Sequence, residues 1–88
     1  MKRIYKYQLD SVYSNHYMPI GAKILTVQIQ NRIPTIWAII DDDVDGENLR
    51  QFIIHGTGHE MPEYDKRSDK YIGTVQDGAI VLHIFEIV

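Results

Sequence analysis

The chain has 88 residues, which makes a single domain, because so short a chain buries only about 60% of its unfolded surface and cannot divide its core. Hydrophobic residues make up 44% and charged residues 24%, a composition that excludes a disordered, fibrous or coiled-coil chain. The formal net charge of −3 argues against general binding to nucleic acid or to an anionic membrane. A small anionic ligand is compatible with it.

Cysteine is absent, so neither a disulfide nor a thiolate nucleophile is available, and a reducing cytoplasm is the expected compartment. The first ten residues contain no apolar block of signal-peptide length. The longest apolar run, Ile36 to Ile40, is far shorter than the roughly 20 residues of a membrane span. We therefore expect a soluble, cytoplasmic protein.

The first tenth of the chain has the period of a strand. Residues 3–9 alternate between two sets of side chains with a period of two, which predicts a half-buried strand. Residues 10–21 then contain Ser, Asn, Asp, Pro and Gly at a density that a long regular element does not tolerate. We predict a connection there, with at most a short strand at residues 16–18.

The next two segments form a predicted hairpin. Residues 23–30 alternate, residues 33–40 are apolar on both faces, and Asn31 and Arg32 separate them. Asn tolerates positive φ, but Arg is a poorer second turn residue than Gly, so we expect a loop slightly longer than two residues. Because it is apolar on both faces, the strand over residues 33–40 is predicted to lie in mid-sheet or against a partner.

Three further strands are predicted in the second half of the chain, over residues 49–55, 70–76 and 79–87. Asp77 and Gly78 join the last two, and Asp-Gly is among the strongest short hairpin signals. A helical alternative survives only at residues 44–50. The sequence thus predicts an all-β fold, a small six-stranded antiparallel sandwich or partly open barrel with at most one short helix, in a single domain over residues 1–88.

The acidic segment after the third predicted strand resembles a calcium-binding loop only in part. Asp41, Asp43, Asp45 and Gly46 match its opening D-x-D-x-D-G. The last position of such a loop needs a bidentate Glu, and Phe52 stands there. We expect a solvated acidic turn and no bound metal.

A glycine-rich turn is the first candidate for ligand binding. It consists of His55, Gly56, Thr57, Gly58 and His59. Backbone amides of such a turn can form a concave site for phosphate or carboxylate. A plain turn with two exposed histidines is the structural alternative. The turn is not a P-loop, since no Gly-Lys-Ser/Thr follows it, and Pro62 excludes a zincin helix after His59.

Four other side chains are candidates for the same site. Trp37 and Tyr71 offer flat surfaces for stacking on a base, and Arg50 can pair with a phosphate. His83 lies between apolar neighbours and is a weaker pocket candidate. Core packing for Trp37, a subunit contact for Tyr71 and an interior hydrogen bond for His83 are the alternatives. No spacing of Ser, His and Asp indicates catalysis, so we expect neither an enzyme nor a cofactor.

Several segments together are similar to a family of short phage and prophage proteins of unknown function. They are IYKYQL, MPIGAKILTVQIQ, WAIID, HGTGHEMP, YIGTVQ and VLHIFE, and they span nearly the whole chain. The acidic loop from Asp42 to Asn48 departs from the family pattern. The resemblance implies a phage-encoded accessory protein that works in the cytoplasm of an infected bacterium.

Two hypotheses of function follow. In the first, a homo-oligomer sequesters a nucleotide-derived immune signal of the ADP-ribose or cyclic-nucleotide type without cleaving it. The glycine turn with Arg50 or His59 would hold the phosphates, and Trp37 or Tyr71 would stack on the base. In the second, the protein inhibits a host defence enzyme or nuclease through a strand edge and the acidic loop.

Overall fold

Two antiparallel sheets face each other in the computed structural model, which describes all residues 1–88. The strands are β1 (Lys2–Gln8), β2 (Tyr13–Pro19), β3 (Lys23–Gln30), β4 (Ile33–Asp41), β5 (Glu47–Gly56), β6 (Lys70–Asp77) and β7 (Ile80–Ile87). One sheet has the order β1-β4-β3 and the other β2-β5-β7-β6. The predicted all-β sandwich is confirmed, and the sheets do not close into a barrel.

Strand β4 is the centre of the three-stranded sheet, as its two apolar faces predicted. It pairs with β1 on one side and β3 on the other. Ile36, Ala38 and Ile40 point between the sheets and are buried there, and Phe52 and Ile84 of the other sheet lie in the same core. The outward-facing Trp37 and Ile39 are half-buried between the two edge strands, so the segment is apolar on both faces although only one face lies in the core.

The second strand corrects the prediction of six strands, since the structure has seven. Residues 13–19 form a full strand in the segment that was predicted to be a connection, and they pair with β5 along their whole length. Ser14 and Met18 face the core and are buried. Only every second side chain of this strand faces the core, and the turn-forming residues between them made the alternation of apolar and polar side chains too weak to recognise. Tertiary pairing therefore overrode the local preference.

The helical alternative at residues 44–50 is also wrong, because β5 begins at Glu47 and its first residues pair with the end of β2. The one helical segment is a 3₁₀ turn, Tyr64–Lys66, in the connection between β5 and β6. No helix in this fold has the length and apolar character needed to cross a membrane.

Both hairpins turn where the sequence placed them, with small corrections. Asn31 and Arg32 have φ values of 51° and 66°, so the first hairpin has a two-residue turn of type I′ and not the longer loop that Arg32 suggested. The second hairpin turns through Gly78, at φ 61°, and Ala79. Strand pairing on both sides of Arg32 holds it in a conformation that an isolated Arg disfavours.

The two sheets come together along the edge strands β3 and β6. Each of these strands has a register shift close to its N-terminal end. The shift lies between Ile24 and Thr26 in β3 and between Tyr71 and Gly73 in β6. A Cβ on Gly73 would lie 2.9 Å from Cγ1 of Val27, so glycine permits the close approach there. A cleft lies beside this contact, lined by residues of both strands.

Candidate binding site

The glycine turn uses most of its own backbone donors. The His59 amide donates to the Gly56 carbonyl at 3.1 Å, and the Thr57 amide donates to the Val81 carbonyl at 3.3 Å. The His59 ring packs on Gly56, where an added Cβ would lie 2.7 Å from Cε1 of the ring. Of the amides of Thr57, Gly58 and His59, only that of Gly58, at φ 85°, has no backbone acceptor. The turn therefore presents a single donor to a ligand, where a phosphate nest needs several.

A row of hydrogen bonds runs from the glycine turn across the outer face of the four-stranded sheet. Thr57 Oγ1 lies 2.7 Å from Nε2 of His83, and Nδ1 of His83 lies 2.9 Å from Oγ1 of Thr74. The Tyr71 hydroxyl lies 2.6 Å from the same Thr74 oxygen. Because both ring nitrogens of His83 have hydroxyl partners, the ring is fixed in orientation. The row places Thr57, His83 and Tyr71 on one surface.

His55 lies beside this row, opposite His83 in the register of β5 and β7. Its ring packs edge-on against Phe85, with centroids 5.7 Å apart. Burial lowers the pKa of His55, the nearby Asp69 carboxylate opposes this, and Arg67 and His83 add to it. Nε2 of His55 is buried without a hydrogen-bond partner. The neutral imidazole is thus the form that this environment favours.

Arg50 does not lie on this outer face. Its side chain points between the two sheets, where it pairs with Glu86. Nη2 donates to Oε1 of Glu86 at 2.9 Å, Nε donates to Oε2, and Nη1 donates to the Ala22 carbonyl at 3.0 Å. The Glu86 side chain is only 7% exposed. The hydrogen bonds to Glu86 raise the pKa of Arg50. Glu86 and the Ala22 carbonyl accept from three of the five guanidinium N–H groups, and the other two are left for another acceptor.

Arg50 and Glu86 form the floor of the cleft between β3 and β6. The cleft has a volume of about 340 Å³ and is lined by residues 22–25 and 70–72 above the Arg50–Glu86 pair. Both register shifts lie in its walls, and bulges of this kind redirect side chains beside binding sites. Tyr71 borders the cleft, and its ring packs edge-on against Phe85 on the outer face of the four-stranded sheet, where its hydroxyl ends the hydrogen-bonded row. The cleft and the row are therefore adjacent.

The charge of the cleft is positive. Lys23 and Lys70 stand on opposite walls, one on each edge strand, and neither takes part in a salt bridge. With Arg50 they give three cations against the single carboxylate of Glu86. Sequence reasoning missed both lysines and Glu86, because lysine on an edge strand usually only blocks strand pairing. No sequence signal marks the two bulges in the walls of the cleft.

Trp37 is separated from the other predicted site residues. It lies on β4, in the three-stranded sheet, and alternates with Ile36 and Ala38, which face the core and are fully buried. Its side chain therefore points to the outside of that sheet. The structure brings together Tyr71, His83 and residues 55–59 on one sheet, joins Tyr71 to Arg50 through the cleft, and leaves Trp37 on the opposite side of the molecule.

The acidic loop is engaged within the chain. The amino group of Met1 lies 3.0 Å from Asp41 Oδ1 and 3.1 Å from Asp42 Oδ1, and it also contacts Asp43. Hydrogen bonds to the three carboxylates, that of Asp43 first, raise the pKa of this amino group to about 11. Arg3 pairs with Asp42 as well. These contacts reduce the negative charge that the loop presents to a basic partner, and Asp45 is not part of the group.

A two-sheet all-β domain with a small cationic cleft at the seam of its edge strands is the class of protein that these features define. Residues 1–88 match the DUF7352 family, a domain of unknown function, and the chain belongs to that family. No curated protein and no solved structure matches the chain.

Proposed function

We propose that this protein is a non-catalytic binding protein that holds a small phosphate-bearing ligand of nucleotide type in the cleft between β3 and β6. The observation that carries the proposal is the convergence of Lys23, Lys70 and Arg50 around one concave space beside an exposed aromatic ring, that of Tyr71. Cations on three sides of a cleft suit a phosphate, and an exposed aromatic ring at its border suits a base.

The ion pair at the floor gives the cleft a fixed donor. Glu86 and the Ala22 carbonyl hold the Arg50 guanidinium in place, so little side-chain entropy is lost when a ligand oxygen accepts from its remaining N–H groups. Lys23 and Lys70 are exposed and adjustable. One rigid cation and two mobile ones accommodate phosphates at more than one position.

Tyr71 supports a ligand longer than a mononucleotide. From its hydroxyl, Thr74, His83 and Thr57 continue as hydrogen-bonding groups across β6, β7 and the end of β5. Neighbouring strands are about 4.8 Å apart, so this row adds about 10 Å to the site. A ligand of ADP-ribose size would place one end in the cleft and the other along the row, which is the role that remains for residues 55–59.

The finer form of the proposal follows from the resemblance to short phage proteins. In an infected bacterium, a protein that binds a nucleotide-derived immune signal without cleaving it removes that signal from solution. We propose a homo-oligomeric, phage-encoded sponge for a signal of the ADP-ribose or cyclic-nucleotide type. Neither a metal nor a cofactor is required for such binding.

Calorimetric titration of the purified protein tests the cleft. ADP-ribose, a cyclic dinucleotide, AMP and adenosine form the panel, and we expect binding only where phosphate is present. Lys70→Gln should weaken binding about 10-fold, because one charge-assisted hydrogen bond contributes about 1.5 kcal/mol. Lys66→Gln is the matched control, because it removes the same charge from a lysine on the 3₁₀ turn, outside the cleft.

A second pair of variants tests stacking. Tyr71→Leu should weaken binding at least 5-fold, given a stacking contribution of about 1 to 3 kcal/mol per base. Tyr64→Leu should not, although Tyr64 and Tyr71 both pack edge-on against Phe85, because only Tyr71 lines the cleft. Binding of adenosine as tight as that of AMP, or equal losses in the cleft and control variants, would contradict the proposal.

Native mass spectrometry with lysate from phage-infected, defence-carrying cells tests the sponge itself. The expected species is a multimer that carries a nucleotide-sized mass, which denaturation releases intact. A released fragment in place of the intact ligand indicates an enzyme. An unliganded protein that instead acquires a host protein supports the inhibitor hypothesis and opposes the sponge.

A further inference from the structure

The outer face of the three-stranded sheet has an exposed apolar centre. Trp37 and Ile39 alternate with the core residues of β4 and are only half-buried. Ile4 lies opposite Ile39 in β1 and is 59% exposed. Side chains that are directly opposite in an antiparallel pair share a face. We call the surface formed by these three residues and by Lys2, Lys6 and Lys23 the Trp37 face.

Three lysines surround this centre. Lys6 is opposite Trp37 in β1, Lys23 is opposite Ile39 in β3, and Lys2 shares the face of Lys6 by alternation. The Lys6 ammonium donates to Oε1 of Gln30 at 2.8 Å, so these two side chains together span β4 from one edge strand to the other. Lys2 and Lys23 line one shallow depression with Ile39. The three ammonium groups thus lie on one surface.

The remaining side chains of the face are neutral and polar except at one end. Thr26, Gln28 and Gln30 follow one another on β3, and Nε2 of Gln28 donates to Oγ1 of Thr26 at 3.3 Å. The acid in the register of this face is Asp41, opposite Lys2, and the Met1 amino group pairs with it. The face is therefore cationic although the whole chain has a net charge of −3.

We propose that the Trp37 face binds single-stranded nucleic acid, with Trp37 stacked on a base and Lys2, Lys6 and Lys23 on phosphates. Aromatic rings beside a track of cations are the common features of such surfaces, and side-chain amides such as those of β3 can pair with exposed base edges. A protein partner fits less well, because lysine is depleted from the centres of protein interfaces. A duplex keeps its bases stacked and offers Trp37 no free base.

The Trp37 face and the nucleotide cleft share one lysine and can be separated by variants of the others. Lys23 borders both surfaces, whereas Lys6 belongs to the Trp37 face and Lys70 belongs to the cleft. The three lysines of the face can contact about three phosphates. We therefore expect weak binding that depends strongly on salt and not on sequence.

Trp37 is the sole tryptophan of the chain, so tryptophan emission, excited selectively over the six tyrosines, reports on this face alone. A ten-residue oligothymidylate, titrated at KCl concentrations between 50 and 200 mM, should quench the emission to saturation. The slope of log K against log salt should be about −2, from about 0.7 released ions for each of three phosphates. Lys6→Gln should reduce the slope to about −1.4 and weaken binding at low salt.

Lys66→Gln, on the 3₁₀ turn and outside both surfaces, is the matched control and should leave the oligonucleotide titration unchanged. Trp37→Leu, followed by anisotropy of a labelled oligonucleotide, should weaken binding at least 5-fold. Three outcomes overturn the proposal. They are an absence of quenching, equal quenching by polyglutamate of the same length, which indicates an acidic-peptide site, and an emission change that follows protein concentration alone, which indicates self-association.

Discussion

Glu86 is a carboxylate with almost no access to solvent, and Arg50 is its partner. Removal of one member of a buried pair leaves a charge without compensation, which costs about 3 to 5 kcal/mol. Because the Arg50 side chain is 21% exposed, the low end of that range applies. Arg50→Leu should therefore lower the free energy of unfolding by about 3 kcal/mol in urea denaturation.

The matched double variant separates charge from packing. Arg50→Leu with Glu86→Leu removes both charges and should recover most of the lost stability, since well-packed apolar pairs replace buried ion pairs at little cost. If the losses of unfolding free energy in the two single variants simply added in the double variant, Arg50 and Glu86 would not be energetically coupled.

His55 gives a pH dependence with a definite sign. Burial, with the charges of Arg67 and His83, lowers its pKa below 6.5 in the folded protein. As the pH falls below 6.5, the unfolded chain takes up a proton before the folded one does, so stability declines until the pH reaches the lower folded pKa. NMR titration of the His55 ring should give a midpoint below 6.5. His55→Gln should remove this part of the decline between pH 7.5 and 5.5, and a midpoint at or above 6.5 would refute the burial argument.

At the scale of elements, the contact between β3 and β6 defines one end of the cleft. Gly73→Ala places a methyl group 2.9 Å from Cγ1 of Val27, which is buried and stiff because it is β-branched. Overpacking of this kind costs about 1 to 3 kcal/mol. In a Val27→Ala background the same change should cost at least about 1 kcal/mol less, as measured by a double-mutant cycle in urea. Additivity within about 0.3 kcal/mol would show that the two residues do not clash.

The elements that were predictable from sequence are those with local signals. The double apolar face of residues 33–40 located the central strand, and Asn31 and Gly78 located the turns. Strand β2 was missed, because its polar residues suit a turn until β5 pairs with them. The candidate site was predictable only in part. His83 and Tyr71 do lie near the glycine turn, but the cleft depends on two bulges and on the packing of distant edges, which no local pattern encodes.

At the scale of the whole molecule, the two sheets present different surfaces. The outside of the four-stranded sheet carries a row of hydroxyl and imidazole groups. The seam of the sheets carries the cationic cleft, and the outside of the three-stranded sheet carries the lysines around Trp37. The net charge of −3 is an average over these surfaces and does not describe any of them. Composition alone therefore excludes less than it first suggests about the ligands of a small domain.

The location of nucleotide binding is the central claim, and amide chemical-shift mapping by NMR tests it most directly. Addition of ADP-ribose to uniformly ¹⁵N-labelled protein should shift the amides of residues 22–25 and 70–72 first, with smaller changes along Thr74 and His83. The amides of residues 26–30, which lie outside the cleft on the same strand, should stay in place. Shifts confined to residues 55–59, or no saturable shifts at all, would contradict the assignment of the cleft as the binding site.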